Sequence, residues 1–197
     1  SGLSFDPFSY QRRATEAIQV DNVRVGGEET VRVAIRESGF EKIAHKVERM
    51  GDYKPEFIYE NSAVVEVDPR DDTSIASLNE RSQETLVAVS DSLDLPVIAA
   101  YRLLAAKLDP RHPILLKDSL TMSEDPEKEF LPTLLTAATN IGSLLCDGIG
   151  DAILVQGEHG PGQALRLSYN ILQAAGTRIF KTDYVACHSC GRTLFHL

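Results

Sequence analysis

Along residues 18–35, apolar side chains alternate with polar ones as Ile18-x-Val20, Val23-x-Val25 and Val31-x-Val33-x-Ile35, with Gly26-Gly27 between them. That spacing predicts a β-hairpin, two short strands joined by a glycine turn. The period then changes. Phe40, Ile43, Ala44, Val47 and Met50 recur at helical intervals with Gly51 just beyond, which predicts an amphipathic helix over residues 39–50 and a glycine stop. Phe57-Ile58-Tyr59 and Ala63-Val64-Val65-Glu66-Val67 are β-rich runs that end in the polar stretch 68–73. Ile75, Leu78, Leu86, Val89 and Leu93 fit a helix over residues 74–93, or two helices divided by the polar middle.

Two brief apolar runs follow prolines: Pro96-Val97-Ile98-Ala99-Ala100 and Pro113-Ile114-Leu115-Leu116. Both have the look of strands buried on two faces of a parallel sheet, where proline is tolerated at the first residue. A long helix over residues 126–146 carries Phe130, Leu134, Ala138, Ile141 and Leu145 on one face, with Gly148 past its end. Ala152-Ile153-Leu154-Val155 reads as a strand, and Gly160-Pro161-Gly162 opens a helix bearing Leu165, Leu167, Tyr169, Ile171 and Leu172 before Gly176. Arg178-Ile179-Phe180 reads as a last strand. Strands alternating with helices predict an α/β fold with a mainly parallel sheet. A complete eight-stranded barrel takes about 250 residues, so the 197 residues here suit a small or incomplete TIM-barrel-like domain. An open doubly wound sheet is the alternative, and periodicity does not separate the two.

Composition narrows the function. With 43% hydrophobic residues, the chain is long enough to bury one sizeable core. A formal charge of −9, with lysines and arginines scattered, leaves no electrostatic footprint for nucleic acid. No apolar stretch approaches the roughly 20 residues of a membrane span, and no signal peptide is evident, so neither nucleic acid nor membrane is expected as a partner. Three cysteines, two of them in Cys187-His188-Ser189-Cys190, point away from a disulfide framework and toward a reducing compartment.

That Cys-x-x-Cys is the most informative chemistry in the chain. Two thiolates three positions apart can hold one metal ion or one corner of an iron–sulfur cluster. His188 and His196 could complete a mononuclear zinc site with Cys187 and Cys190. Cys146, on an apolar helix, reads as a buried small hydrophobe. Gly148-Ile149-Gly150-Asp151 lies after a helix and before a strand, the reverse of a phosphate loop, and reads as a tight turn. Gly157-Glu158-His159-Gly160-Pro161-Gly162 holds no Lys or Arg and reads as a plain connection. The acidic residues fall mostly in polar loops such as 68–72 and 124–129 and read as solvated surface. No convergent set of catalytic groups can be named.

The string Thr182-Asp183-Tyr184-Val185-Ala186-Cys187-His188-Ser189-Cys190-Gly191-Arg192-Thr193-Leu194-Phe195 resembles the start of the cluster-binding domain of the 4-hydroxy-3-methylbut-2-en-1-yl diphosphate synthase family. Gly142-Ser143-Leu144-Leu145-Cys146-Asp147-Gly148-Ile149-Gly150-Asp151 is similar to that family's leucine-rich Asp/Glu-Gly-Ile/Leu-Gly-Asp segment. Arg12-Arg13-x-Thr15, followed by Val20, Val23 and Gly26-Gly27, looks like a worn copy of its barrel opening, with Ala34-Ile35-Arg36-Glu37 where Gln-Ser-Met-Thr is usual. His188 stands where the family usually has proline.

The combination resembles the plant-type, three-domain form of the enzyme. The resemblance implies that residues 3–185 are an inserted barrel-like domain and residues 186–197 the beginning of the C-terminal iron–sulfur domain. Cys187 and Cys190 would be two ligands of a four-iron, four-sulfur cluster, with a cysteine and a glutamate further along completing the set. The family reaction is reductive opening of 2-C-methyl-D-erythritol 2,4-cyclodiphosphate, with electrons from ferredoxin or flavodoxin. The implied compartment is the bacterial cytoplasm or the plastid stroma. By itself the chain is expected to be an inactive structural spacer without a complete cluster, docked on the catalytic barrel and cluster domains of its own polypeptide. A free-standing zinc module using Cys187 and Cys190 is the alternative.

Overall fold

The computed structural model describes residues 12–120, 130–156 and 160–177, with only the backbone described for 130–135. Its strands are β1 (Ile18–Val20), β2 (Val23–Val25), β3 (Arg32–Ile35), β4 (Phe57–Ile58), β5 (Val65–Val67), β6 (Val87–Val89), β7 (Leu115–Lys117) and β8 (Ala152–Leu154). Its helices among these residues are α1 (Glu37–Ile43), α2 (Asp72–Asn79), α3 (Val97–Lys107), α4 (Phe130–Cys146) and α5 (Pro161–Ala174).

The hairpin is smaller than the alternation predicts. β1 pairs with β2 antiparallel across Asp21-Asn22, with Asp21 at φ 50°. Aspartate tolerates that left-handed turn position, so the chain reverses before Gly26-Gly27. The run at Val31 then belongs to β3, which pairs in parallel with β4 on one side and β8 on the other. β7 pairs with β8 and β5 with β6, also in parallel, and a bridge from Val87 to Ile114 joins β6 to β7. The order is therefore β4-β3-β8-β7 continuing to β6-β5. Neighbours in the sheet are neighbours in the sequence, except that β3, the first parallel strand, pairs with β8, the last.

Two stretches exchange roles relative to their sequence patterns. The helix expected over 74–93 is α2 alone; Glu80 to Thr85 break it, and Val87–Val89 is a strand with all three residues buried. Pro96 to Ala100, expected as a strand, opens α3 instead. Pro96 is its extended N-cap at ψ 140°, and Ala100, Tyr101 and Leu104 form the buried side. A short apolar run after proline suits a helix start as well as a strand. The helix expected over 39–50 is α1 followed by a 3-10 turn, Ala44–Arg49, with Gly51 beyond at φ 59°. In α4 the buried face runs through Ala137, Ile141, Leu144 and Leu145, and Ala138 is exposed. Arg178-Ile179-Phe180, Cys187, Cys190, His188 and His196 lie outside the described residues.

Alternate strand residues feed two cores. Val33, Ile35, Val87, Val89, Ile114, Leu116 and Ile153 face the helices and pack with Ile75, Leu104, Ile141 and Leu165. Ala34, Phe57, Leu86, Ala88, Leu115, Ala152 and Leu154 face the other way and pack with Val20 and Val25 of the hairpin. Burying each large aliphatic contributes about 1.5–3 kcal/mol, which is why strands of two to four residues suffice.

Candidate functional site

In α/β sheets, ligands bind beyond the carboxyl ends of the strands. Here those ends carry a connected set of charged side chains. Lys117, the last residue of β7, alternates inward with Leu115 and is fully buried. Its ammonium lies 2.6 Å from Glu66 Oε1 on β5 and 3.2 Å from Asp91 Oδ1 after β6. The Tyr59 hydroxyl donates to the same Glu66 oxygen. Burial first, then that bond, pushes the phenol far above its ordinary range, so it stays a donor.

Arg36, directly after β3, completes the ring. Its guanidinium lies 4.2 Å from the centroid of the Tyr59 ring, and its Nη2 is 3.0 Å from Asp91 Oδ2. It also donates to Gln156 Oε1 at 2.5 and 3.1 Å and to Glu60 Oε1 at 3.5 Å. Gln156 in turn donates through Nε2 to Asp91 at 3.0 Å, and its backbone amide donates to Asp118 Oδ1 at 2.6 Å. Under the ring, the amide of Lys117 donates to the buried Tyr101 hydroxyl at 3.0 Å.

Two cations thus face the carboxylates of Glu60, Glu66 and Asp91, with Asp118 joined to the set through Gln156. A phosphate ligand needs cations free to receive it; both of these are already held, in a surplus of negative charge. Beside Arg36 is a cleft of about 160 Å³ between α1 and α5, below the roughly 300 Å³ where small-molecule sites begin. The sequence reading did not single out this cluster. The available signal was Lys117 closing the apolar run 114–116 at an inward position.

A second polar cluster occupies the opposite ends of the strands. Buried Asp151 accepts from Arg12 Nη2 and Thr15 Oγ1, both at 2.9 Å, and from the Ile114 amide at 3.0 Å. Arg13 donates to the carbonyls of His112 and Asp109 at 2.6 and 2.8 Å. Gly148 and Gly150, at φ 80° and 121°, make the turn between α4 and β8, as the sequence predicts. A Cβ on Gly150 would lie 2.6 Å from Leu116 Cδ1. These contacts fasten the start of the chain to the sheet and offer no reactive group. Cys146 is exposed rather than buried, because α4 turns its Leu144 and Leu145 inward. Among the described residues no group of three or more His, Cys, Asp or Glu could hold a metal ion, and no helix is long and apolar enough to cross a membrane.

No family model matches the chain. Among curated proteins it is 46% identical over 195 residues to a protein of Akkermansia muciniphila named 4-hydroxy-3-methylbut-2-en-1-yl diphosphate synthase (flavodoxin), covering 99% of this chain and 33% of that relative. A protein of Picosynechococcus sp. named for the ferredoxin form is 41% identical over 107 residues, covering 51% of this chain and 24% of its own length. A third, from Protochlamydia amoebophila and named for the flavodoxin form, is 49% identical over 65 residues, or 33% of this chain and 10% of the relative. The chain therefore spans about a third of the length of the first of these relatives.

Proposed function

We propose that this chain, homologous over nearly its whole length to a third of a 4-hydroxy-3-methylbut-2-en-1-yl diphosphate synthase, is a structural domain of such an enzyme. Residues 3–185 form an inserted barrel-like domain, and residues 186–197 begin the iron–sulfur domain. The strand order supports a small barrel over an open doubly wound sheet, since the first and last parallel strands, β3 and β8, pair and the consecutive parallel strands are neighbours except β4 and β5, which stand at the two ends of the order. The whole enzyme reductively opens 2-C-methyl-D-erythritol 2,4-cyclodiphosphate in isoprenoid synthesis, with electrons from flavodoxin or ferredoxin, the carriers in the relatives' names. It works in the bacterial cytoplasm or the plastid stroma. Cys187 and Cys190 would hold two corners of a four-iron, four-sulfur cluster, a group that would supply electrons for the reduction.

The observation that carries the spacer role is the charged ring at the strand ends, where Arg36 and Lys117 are each neutralised by carboxylates of the same domain. A doubly phosphorylated substrate would have to displace those partners and meet the remaining carboxylates. The domain therefore holds its neighbours in place and leaves substrate chemistry to the rest of the polypeptide. Calorimetric titration of this chain with the cyclodiphosphate is expected to give no binding in the micromolar range; micromolar affinity would overturn the spacer role. Anaerobic reconstitution is expected to load a stable cluster only in a polypeptide extended past Leu197. Stoichiometric zinc in the short chain would favour the self-contained module.

A further inference from the structure

β1 is paired along one edge alone, against β2. Which backbone groups its other edge leaves open is fixed by Arg24, opposite Gln19. The Arg24 carbonyl turns away from β1 and accepts Arg32 Nε at 2.9 Å. In an antiparallel ladder, opposite residues alternate between bonded and non-bonded pairs. Gln19 and Arg24 are therefore a non-bonded pair, and the Gln19 N–H and C=O point away from β2. Neither meets a partner among the described residues.

Gln19 lines a groove of about 490 Å³ at the amino ends of the strands, with Ala63 ahead of β5 and Arg81, Glu84 and Leu86 ahead of β6. Arg81 has a single contact, 3.5 Å to the Thr85 hydroxyl, and neither it nor Glu84 is ion-paired among the described residues. An open strand edge beside a groove is suited to an extended backbone, which main-chain hydrogen bonds hold and side-chain pockets select. We propose that an extended segment of the same intact polypeptide, from outside residues 1–197, adds to β1 in this groove. It exchanges hydrogen bonds with the Gln19 N–H and C=O and sets a carboxylate against Arg81 and a cation against Glu84. The inference rests on reading this chain as one domain of a longer enzyme, since it spans 33% of the relative that it matches over 99% of its own length. Two backbone hydrogen bonds are too few to hold a free partner, whereas a tethered segment is presented at about millimolar effective concentration. The groove also lies at the strand ends where Arg12 and Arg13 fasten the start of the described chain, on the side where a neighbouring domain joins.

Amide hydrogen exchange of the intact polypeptide, resolved to single residues by electron-transfer fragmentation, reads the Gln19 N–H directly. Gln19 is exposed, so without an added strand its amide exchanges near the rate of an unstructured chain. With one, it is expected to exchange about a hundredfold more slowly, as for a group reached only by local opening. Arg81→Glu is expected to return about tenfold of that rate by like-charge repulsion, and Arg81→Lys to keep most of the protection. The photo-cross-linker p-benzoylphenylalanine in place of Gln83, exposed in the same groove, is expected to cross-link within one polypeptide to a site outside residues 1–197. An amide at the unstructured rate, or a cross-link that is absent, falls within residues 1–197 or joins two chains, would overturn the added strand. Turnover of the cyclodiphosphate by the unaltered polypeptide reads the enzyme assignment separately. An active enzyme with an unprotected Gln19 sinks the added strand alone, and an inactive one with protection and the cross-link sinks the assignment alone.

Discussion

Thr15 and Asp151 are separated by 136 positions in the chain, yet the Thr15 hydroxyl donates to Asp151 Oδ1 at 2.9 Å. Two of the short motifs by which the chain resembles its relatives, Arg12-Arg13-x-Thr15 and the Gly-Asp that ends the glycine turn, are halves of one contact. Asp151→Ala is expected to cost about 3–5 kcal/mol, because it strands the Arg12 guanidinium, the Thr15 hydroxyl and the buried Ile114 amide together. Urea denaturation measures this, and a loss below about 1 kcal/mol would contradict the role given to the contact.

Two glycines separate backbone strain from crowding. Gly51, at φ 59°, has open space around a would-be Cβ, whereas at Gly150, at φ 121°, that atom would meet Leu116 at 2.6 Å. Gly51→Ala is expected to cost about 1–2 kcal/mol, the ordinary penalty of a left-handed position. Gly150→Ala must add displacement of a buried leucine, and its melting temperature should fall well below that of Gly51→Ala. Equal losses would show that the Leu116 contact relaxes freely.

Lys117 offers a test of how the charged ring is held together. Lys117→Met leaves Glu66 and Asp91 without their shared cation, at an expected cost of about 3 kcal/mol. Adding Glu66→Gln to that background is expected to recover about 1 kcal/mol or more, the coupling typical of contacting residues. Strict additivity in the double-mutant cycle would mean that the 2.6 Å pair contributes nothing of its own.

His112 makes stability depend on pH. The ring is buried, accepts from the Thr85 amide through Nδ1 at 3.0 Å, and lies 2.9 Å from the Leu78 carbonyl through Nε2, which fits the neutral ring with its proton on Nε2. Burial lowers its pKa from the usual 6.5. The unfolded chain therefore takes up a proton before the folded one does. His112's contribution is complete above pH 6.5 and is lost as pH falls through the lowered value. Denaturation midpoints taken from pH 7.5 down to about 5 should drop, and His112→Gln should flatten that part of the profile.

Much of the α/β alternation is legible from the sequence because buried strands and glycine-stopped helices leave strong patterns. Leu115–Lys117, Ala152–Leu154 and Pro161–Ala174 all fall where the apolar runs place them. The failures have a common cause. Leu86 and Val89 lie at a helical interval from Ile75 and Leu78, and only the burial of all four residues from Leu86 to Val89 identifies the strand. The charged ring is less legible still. Lys117 finds Glu66 across 51 positions and Arg36 finds Gln156 across 120, and no local pattern encodes such meetings.

The pairing of β3 with β8, Arg32 opposite Ala152 and Val33 opposite Ile153, also sets a timetable for the nascent chain. A ribosome must deliver some 120 residues after β3 before its partner strand exists, and until then that edge is open to any other extended segment. The β3–β8 pairing is thus a late, long-range event that makes folding slow. During synthesis, that unpaired edge of β3 is where a chaperone's cover has something to protect.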